Sequence, residues 1–217
     1  MSAVRSLAVR AASQSLEGAS PSIVATDPEV IDALAATAAR HDHLCPRQVL
    51  GVRIGFAARE ALGFKPQSAK GRVLILVETD GCFADGIEAA TGCSMGHRTM
   101  RLEDYGRVAA TFVDVDRGVA FRIAPAAGIR ALAAALEPDE PRRYYAQLRG
   151  YQRMPATQLL TVTPVSLAFD VAKVLGRNGS RVDCSVCGEE VINQREVLVD
   201  GQPRCPACAG NAYYVKR

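Results

Sequence analysis

The apolar positions that follow residue 26 recur with the period of an α-helix. They form one stripe, which consists of Val30, Ile31, Leu34, Ala35 and Ala38. Just before the stripe, Thr26 or Asp27 can accept hydrogen bonds from free backbone N–H groups, and Pro28 suits a first helical turn. This pattern predicts a helix that carries the chain to His41.

A second helical pattern runs from Pro46 to about Gly63, where a glycine is a suitable C-terminal cap. Gly51 and Gly55 lie four residues apart and would let another element approach closely. Cys45 then stands at or beside the N-cap of this helix. Unpaired N–H groups and the positive end of the helix dipole favour a thiolate at such a position.

Short runs of Val, Ile and Leu farther along the chain predict strands. Residues 72–79 (RVLILVET) are typical of a strand covered on both faces, and Cys82 follows its end. Residues 83–91 have helical character, and Gly92 ends that helix before Cys93. The other predicted elements are a β-hairpin over 107–115 and 119–124, helices over 128–136 and 142–153, and a strand over 159–165.

Composition limits the classes of protein to be considered. With 217 residues, 48% apolar and 23% charged, the chain suits one globular domain of ordinary size and a small appendage. No run approaches the roughly 18 consecutive apolar residues of a membrane span, so we expect no membrane partner. The net charge of +3 is spread along the chain, which argues against a nucleic-acid partner.

The cysteine pattern indicates the compartment, and turn-forming residues divide the chain into segments. Seven cysteines with two CxxC pairs indicate metal and thiol chemistry in a reducing compartment, so we expect a cytoplasmic protein. The first residues have no acid before Glu17 and loosely resemble a transit peptide, although a flexible extension is favoured. We predict an extension over 1–22, a main domain over 23–166, a linker over 167–180 and a second unit over 181–217.

The second unit contains the strongest motif of the sequence. Cys184-x2-Cys187 and Cys205-x2-Cys208 are separated by seventeen residues, a spacing at which four thiolates can enclose a tetrahedral Zn²⁺. A hairpin over 191–199 with a turn at 200–201 is predicted between the pairs. So small a unit has too little core to fold unaided, and we therefore predict structural zinc. Its five basic and five acidic side chains form no basic surface for nucleic acid.

All three histidines and the three other cysteines lie between residues 41 and 97. His41, His43 and Cys45 alternate, so that in an extended segment their side chains project from the same side. This arrangement suits a shared transition-metal site, and the candidate ligands are His41, His43, Cys45, Cys82 and Cys93. It also suits a Cys45 nucleophile beside a His43 base. Considered singly, His41 and Cys45 are also compatible with ordinary packing roles.

Two charged residues in the same window are candidates for ligand binding. Asp85 and Arg98 can orient metal ligands or bind an anion, or they can belong to a solvated face. The predicted helix over 142–153 carries three tyrosines among four arginines, which can grip single-stranded nucleic acid. We favour packing of these tyrosines in the core, with the arginines in solvent.

These motifs together resemble a known family. They are His41-x-His43-x-Cys45-Pro46-x4-Gly51-x-Arg53, Cys82-Phe83-x-Asp85-Gly86-Ile87, Thr91-Gly92-Cys93, Asp104-Tyr105-Gly106 and Thr111-Phe112. They resemble the FmdE family, named for the FmdE component of molybdenum formylmethanofuran dehydrogenase, over roughly residues 26–166. The four-cysteine unit looks like the treble-clef zinc finger that some members carry. Arg47 and His97 depart from the pattern, where glycine and lysine are frequent.

The resemblance implies an α+β core, often a homodimer, with a Cys/His cluster that binds metal. It also implies an accessory subunit of a molybdenum or tungsten oxidoreductase of one-carbon metabolism. Two other functions remain open from the sequence. One is an enzyme in its own right that uses Cys45 and His43. The other is an interaction or regulatory module that acts through the zinc finger.

Overall fold

The computed structural model describes residues 23–176 and 178–215, and these form two compact units that divide after Ser166. We call described residues 23–166 the core unit and described residues from 167 onward the ribbon unit. The predicted extension over 1–22 lies outside the described residues. Within the described part of the chain, no helix is long and apolar enough to cross a membrane.

The core unit contains a mixed five-stranded sheet. Its strands are β1 (Val73–Val77), β2 (Met100–Leu102), β3 (Ala110–Asp114), β4 (Val119–Pro125) and β5 (Leu160–Val165). The spatial order is β2-β1-β3-β4-β5, in which β2 is parallel to β1 and every other pair is antiparallel. Every residue of β1 and β3 is buried, as expected for central strands that are covered on both faces.

The helices have almost the bounds that the sequence predicts. They are α1 (Pro28–Ala38), α2 (Pro46–Leu62), α3 (Cys82–Thr91), α4 (Ile129–Leu136), α5 (Arg143–Arg153) and α6 (Ala156–Leu159). Asp27 caps α1 by accepting a hydrogen bond from the Glu29 N–H at 2.9 Å. Gly63 and Gly92 end α2 and α3 with φ of +65° and +69°, the left-handed conformation that glycine adopts without strain. The predicted α+β fold is confirmed.

Glycines set the close contact between α2 and α3. A Cβ atom on Gly51 would lie 2.2 Å from the Phe83 carbonyl oxygen, and one on Gly86 would lie 2.4 Å from the Gln48 carbonyl oxygen. A Cβ on Gly55 would lie 2.6 Å from the Cβ of Ala90. The backbones of the two helices therefore touch, which confirms the close approach predicted at Gly51 and Gly55. The contact near Gly51 and Gly86 brings the first turns of α2 and α3 together.

Two buried carboxylates tie the strands of the sheet. Glu78, just after β1, binds Arg122 of β4 through both of its oxygens at 2.6 and 2.8 Å, and it also binds Arg107 at 2.7 Å. Hydrogen bonds from Arg122 are the largest of the effects that hold the pKa of Glu78 below its usual value. Asp114, at the end of β3, binds Arg72 at 2.9 Å. The Glu78 pairs fix the end of β1, four residues before Cys82, and the Asp114 pair fixes its start.

The ribbon unit consists of a short helix and two hairpins. Its elements are α7 (Val171–Leu175), β6 (Arg181–Asp183), β7 (Glu190–Ile192), β8 (Val197–Val199) and β9 (Gln202–Arg204). The predicted linker therefore includes a helix. Instead of one hairpin between the cysteine pairs, β6 pairs with β7 around the first pair, and β8 pairs with β9 immediately before the second. Asp200 and Gly201 make the predicted turn with φ of +53° and +75°.

Candidate metal and thiol sites

The four cysteines of the ribbon unit form a compact sulfur cluster. The Sγ atoms of Cys184, Cys187, Cys205 and Cys208 all lie within 4.8 Å of one another, and those of Cys187 and Cys205 are 3.9 Å apart. Zn–S bonds of about 2.3 Å in a tetrahedron place sulfurs about 3.8 Å apart. The cluster therefore fits a tetrahedral metal ion, and all four ligands would come from the protein.

Electrostatics in this cluster also suit a cation. Hydrogen bonds from the backbone N–H groups of Cys187 and Cys205 lower the pKa of Cys184 to about 6. The neighbouring Cys205 thiol and burial raise the pKa of Cys208 to about 12. The Cys184 sulfur thus ionises readily, whereas neighbouring cysteines oppose ionisation of Cys208. A bound cation would remove that opposition.

A second set of functional side chains lines a cavity of about 750 Å³ in the core unit. We call it the thiol cavity. It is lined by His43, Cys45, Pro46, Arg47, Leu50, Cys82, Val108, Pro125, Ala126, Gly128, Ile129, Arg130, Tyr144, Gln147 and Tyr151. Another cavity of about 710 Å³, beside α1 and α2, has no cysteine or histidine in its wall. The chemistry therefore concentrates in the thiol cavity.

Cys45 is held at the start of α2. It is the N-cap residue, with extended φ and ψ of −124° and 159°. The buried side chain of Gln48 accepts a hydrogen bond from the Cys45 N–H at 2.6 Å and donates one to the Thr37 carbonyl of α1 at 2.8 Å. Gln48 thus joins two helices to the backbone that carries the thiol, and the predicted N-cap position of Cys45 is confirmed.

Cys82 is the first residue of α3. The preceding Gly81 has φ of +72° and ψ of −154°, a conformation essentially restricted to glycine. Burial, and then the adjacent Cys45 thiol, raise the pKa of Cys82. Two thiols therefore lie side by side at the N-termini of two helices whose backbones touch. This pairing depends on the α2–α3 contact, which local sequence patterns do not specify.

The two neighbouring histidines have different surroundings. His43 lines the thiol cavity, and its Nδ1 lies 2.6 Å from the His41 carbonyl oxygen. A carbonyl only accepts hydrogen bonds, so we assign the proton to Nδ1, which leaves Nε2 with a free lone pair. His41 is engaged elsewhere: its Nε2 lies 2.7 Å from Asp85 Oδ2, and Arg40 lies 3.5 Å from the other oxygen of that carboxylate.

Cys93 and Arg98 do not reach the thiol cavity. Cys82 and Cys93 stand at opposite ends of α3, about 16 Å apart at 1.5 Å per residue. Cys93 instead lines a cavity of about 200 Å³ with His97. In the described ranges, only the four ribbon cysteines form a group of three or more Cys, His, Asp or Glu side chains spaced to hold a metal ion. His43, Cys45 and Cys82 share a cavity wall but do not have that spacing. Of the five candidate ligands in the core unit, the structure brings His43, Cys45 and Cys82 to one cavity.

Sequence reasoning missed the far wall of the thiol cavity. Arg130 of α4 and both Tyr144 and Gln147 of α5 belong to it, and the Tyr144 hydroxyl donates to the Leu44 carbonyl at 3.2 Å. The sequence signal that could have found this wall is the predicted helix over 142–153, with its three tyrosines and four arginines. Tyr151 is buried, as the packing interpretation predicts, but Tyr144 is 43% exposed and does not pack in the core. Arg149 is paired with acidic side chains rather than free.

Comparison with known proteins agrees with these motifs. A family model described as "FmdE, Molybdenum formylmethanofuran dehydrogenase operon" matches residues 40–162, more than half of the chain and all residues of the thiol cavity. The chain belongs to the FmdE family. Its likeness to a solved FmdE-like protein extends over most of the fold.

That solved structure is a tungsten formylmethanofuran dehydrogenase FmdE-like protein from Syntrophus aciditrophicus. It is 18% identical, with a TM-score of 0.56, over 86% of this chain and 95% of that one. A probable S-adenosyl-L-methionine-binding protein of Archaeoglobus fulgidus is 38% identical over 76 residues, which are 34% of this chain. This FmdE chain thus spans about a fifth (21%) of the length of that curated relative.

Proposed function

We propose that this FmdE protein binds two metal ions and serves as an accessory subunit of a molybdenum or tungsten oxidoreductase. One ion is a structural zinc in the ribbon unit. The other is a soft transition metal in the thiol cavity, held by Cys45, Cys82 and His43. The observation that carries the second site is the convergence of two cysteine thiols and one histidine on a single cavity at two helix N-termini.

The donor set matches such an ion. Two thiolates and one imidazole suit Zn²⁺ and other borderline-soft divalent ions better than hard ones such as Mg²⁺. His43 already directs Nδ1 to a backbone carbonyl, as most metal-bound histidines do, and therefore has Nε2 to offer. A bound cation would stabilise both thiolates and so offset the burial that raises the pKa of Cys82. Three protein ligands beside an open cavity would leave a coordination position for another molecule.

Metal analysis of the full-length protein tests this site. Elemental analysis should find about two metal ions per chain, and Cys45→Ser and Cys82→Ser should each lower the content to about one. Cys93→Ser is the matched control, because Cys93 is buried in a different cavity, and it should leave the content unchanged. If Cys45→Ser and Cys82→Ser retained the wild-type content, the core site would be refuted.

The accessory role rests on the family description and on the surface of the ribbon unit. The family description refers to a molybdenum formylmethanofuran dehydrogenase operon. Val186 and Leu198 of the ribbon unit are 60% and 70% exposed, and apolar side chains at such positions are available for a protein contact. Such side chains would dock the oxidoreductase.

Co-purification from the native host tests this role. Tagged wild-type protein should capture a molybdenum- or tungsten-containing enzyme, and Leu198→Ser should weaken the capture without changing the metal content. Glu189→Gln, at an exposed position of the same unit, is the surface control. Recovery of the protein alone, at an expression level at which it is abundant, would argue against the accessory role.

We also propose a homodimer. β5 forms one edge of the sheet, and Val162 on it is 44% exposed. An exposed edge strand with an apolar side chain is a natural surface for a second copy. Light scattering should give a mass of about twice 23.1 kDa, which Val162→Lys should lower towards the monomer mass. A monomer at micromolar concentration would contradict the dimer.

An independent catalytic function is the second candidate. Cys45 lies at the N-terminus of a 17-residue helix and shares its cavity with His43, so a cysteine nucleophile and a base line the same cavity. This function predicts turnover by the purified protein alone that Cys45→Ala abolishes and a ribbon variant retains. The accessory function predicts activity only in the presence of the partner enzyme.

A further inference from the structure

The thiol cavity is much larger than a metal ion. Its volume of about 750 Å³ lies within the range of roughly 300–1,000 Å³ that is typical of small-molecule sites. Its three candidate metal ligands occupy one part of the wall, and the rest comes from α2, α4, α5 and the segments that precede β3 and follow β4. The cavity therefore has room for a molecule beside the metal.

Three helices begin at this cavity. Cys45 and Arg47 come from the start of α2, Cys82 from the start of α3, and Gly128 and Arg130 from the start of α4. The N-caps of the three helices are a cysteine and two glycines, so none has a carboxylate cap. Each helix thus directs its positive dipole end, uncompensated by a capping acid, towards the same space.

The side chains around the cavity have the same sign of charge. None of the fifteen lining residues is Asp or Glu, whereas Arg47 and Arg130 are both present. Among the described residues neither arginine forms an ion pair, while Arg149 on the neighbouring helix binds two glutamates. Asp85 in the first turn of α3 is an acid whose charge acts on Cys82, and it is paired with His41 and Arg40.

From this arrangement we infer that the thiol cavity recognises a small molecule with an anionic group, a carboxylate or a phosphate. Arg47, two residues from Cys45 on α2, and Arg130 on α4 bind that group, and the three helix N-termini add to its stabilisation. The rest of the ligand extends towards Cys45 and Cys82. The inference rests on the proposed function, since it identifies the ligand class of the same site.

Two alkylating reagents of nearly equal size measure the preference of the cavity for an anion directly at the two thiols. Iodoacetate carries a carboxylate and iodoacetamide is neutral, and both alkylate cysteine sulfur with loss of iodide. Peptide mapping by mass spectrometry gives the rate for each reagent at Cys45 and Cys82 in the full-length protein. The ratio of the two rates cancels any factor that affects both reagents, including protection by a bound metal.

A site that binds anions predicts a ratio of iodoacetate to iodoacetamide rates that is higher than the ratio for free cysteine. A cleft of one charge sign raises the local concentration of opposite ions by tenfold or more, so we expect the iodoacetate-to-iodoacetamide ratio to rise by about tenfold. The double variant Arg47→Ala with Arg130→Ala should return the ratio to within about twofold of free cysteine. The control is Lys65→Ala, which removes a positive charge from the wall of a different cavity. It should leave the ratio of the two rates unchanged.

The result also separates this inference from the metal site. A wild-type ratio equal to that of free cysteine, or a ratio that the double variant leaves unchanged, would overturn anion recognition. Neither result bears on the metal content, which the cysteine variants decide. Inorganic phosphate and acetate, added separately, should each lower the rate at which iodoacetate alkylates these thiols in the wild type. The stronger competitor identifies the preferred anion.

Discussion

At the scale of single residues, Gln48 does most to position the Cys45 backbone. It is fully buried, and its amide joins the Cys45 N–H to both the carbonyl and the hydroxyl of Thr37. A buried group that loses its partner costs about 1–3 kcal/mol. The orientation of the Cys45 thiol therefore depends on a neutral side chain that takes no part in chemistry.

Replacement of Gln48 by leucine is expected to lower the free energy of unfolding by roughly 1–3 kcal/mol, because it leaves the Cys45 N–H without a partner. The Thr37 carbonyl loses one hydrogen bond but still accepts one from the Arg40 N–H. Urea denaturation measures the change. Gln147→Leu, at a half-buried position of the same cavity, should cost less than about 1 kcal/mol. Equal losses in the two variants would show that the Gln48 bridge has no special role.

The positions of Cys45 and Cys82 followed from local signals. Proline after Cys45 marked a helix start, and an apolar strand placed Cys82 at a strand end, although it proves to begin α3. Cys93 was grouped with them because all three lie in one window of sequence. The length of α3 separates it from Cys82, and a predicted helix over 83–91 already contained that information.

At the scale of elements, the site depends on the contact between α2 and α3. Gly51 and Gly86 allow the two backbones to touch, and that contact brings the two helix N-termini into one cavity. Strand β2 shows the limit of sequence patterns. It has three residues with an arginine in the middle, and its parallel pairing with β1 is specified by tertiary contact rather than by local preference.

Gly51→Ala is expected to force α2 and α3 apart, since the new Cβ would lie 2.2 Å from a backbone oxygen that cannot move aside alone. We expect a loss of roughly 2–4 kcal/mol in the free energy of unfolding and weaker metal binding in the core unit. Gly96→Ala is the control, because its Cβ would meet no atom closer than 3.9 Å. A stable Gly51→Ala variant with full metal content would contradict this packing.

The ion pair between Glu78, just after β1, and Arg122 of β4 predicts that the stability of the fold depends on pH. Hydrogen bonds from Arg122 are the main cause that lowers the pKa of Glu78 in the folded protein, so the unfolded chain, with a glutamate pKa of about 4.3, binds more protons as the pH falls. The contribution of Glu78 to stability is full above that value and is lost as the pH falls through the lower folded-state pKa.

Glu78→Gln should therefore lower the free energy of unfolding by roughly 1–3 kcal/mol near pH 7, and the difference from wild type should shrink between about pH 5 and 3. Denaturation curves at several pH values measure it. Glu60→Gln, at an exposed position of α2, should follow the wild-type curve. A difference that grows on acidification would have the wrong sign for this pair.

At the scale of the whole molecule, the chain combines a core unit stabilised by burial with a ribbon unit that, by our proposal, depends on a bound metal. Removal of that metal by a chelator should abolish the hydrogen-exchange protection of β6 to β9, because this unit has little apolar core. The amides of β1 and β3, which are wholly buried in the core unit, should stay protected. Persistent protection of the hairpins after complete metal removal would contradict a metal-dependent fold.

The family and the fold class followed from sequence because their motifs are short and dense, whereas the cavity depends on contacts between distant elements. Arg130 and Tyr144 lie 85 and 99 residues beyond Cys45 and join it only through the packing of α4 and α5 on the core. No local pattern marks that convergence. The ribbon, in contrast, could be predicted from cysteine spacing alone.

Anomalous diffraction from crystals of the full-length protein, at the absorption edge of the bound metal, tests the central claim most directly. We predict two peaks per chain: one among the four ribbon sulfurs, and one within about 2.3 Å of the Sγ atoms of both Cys45 and Cys82. A single peak in the ribbon, with no density between those two thiols after growth in excess zinc, would contradict it.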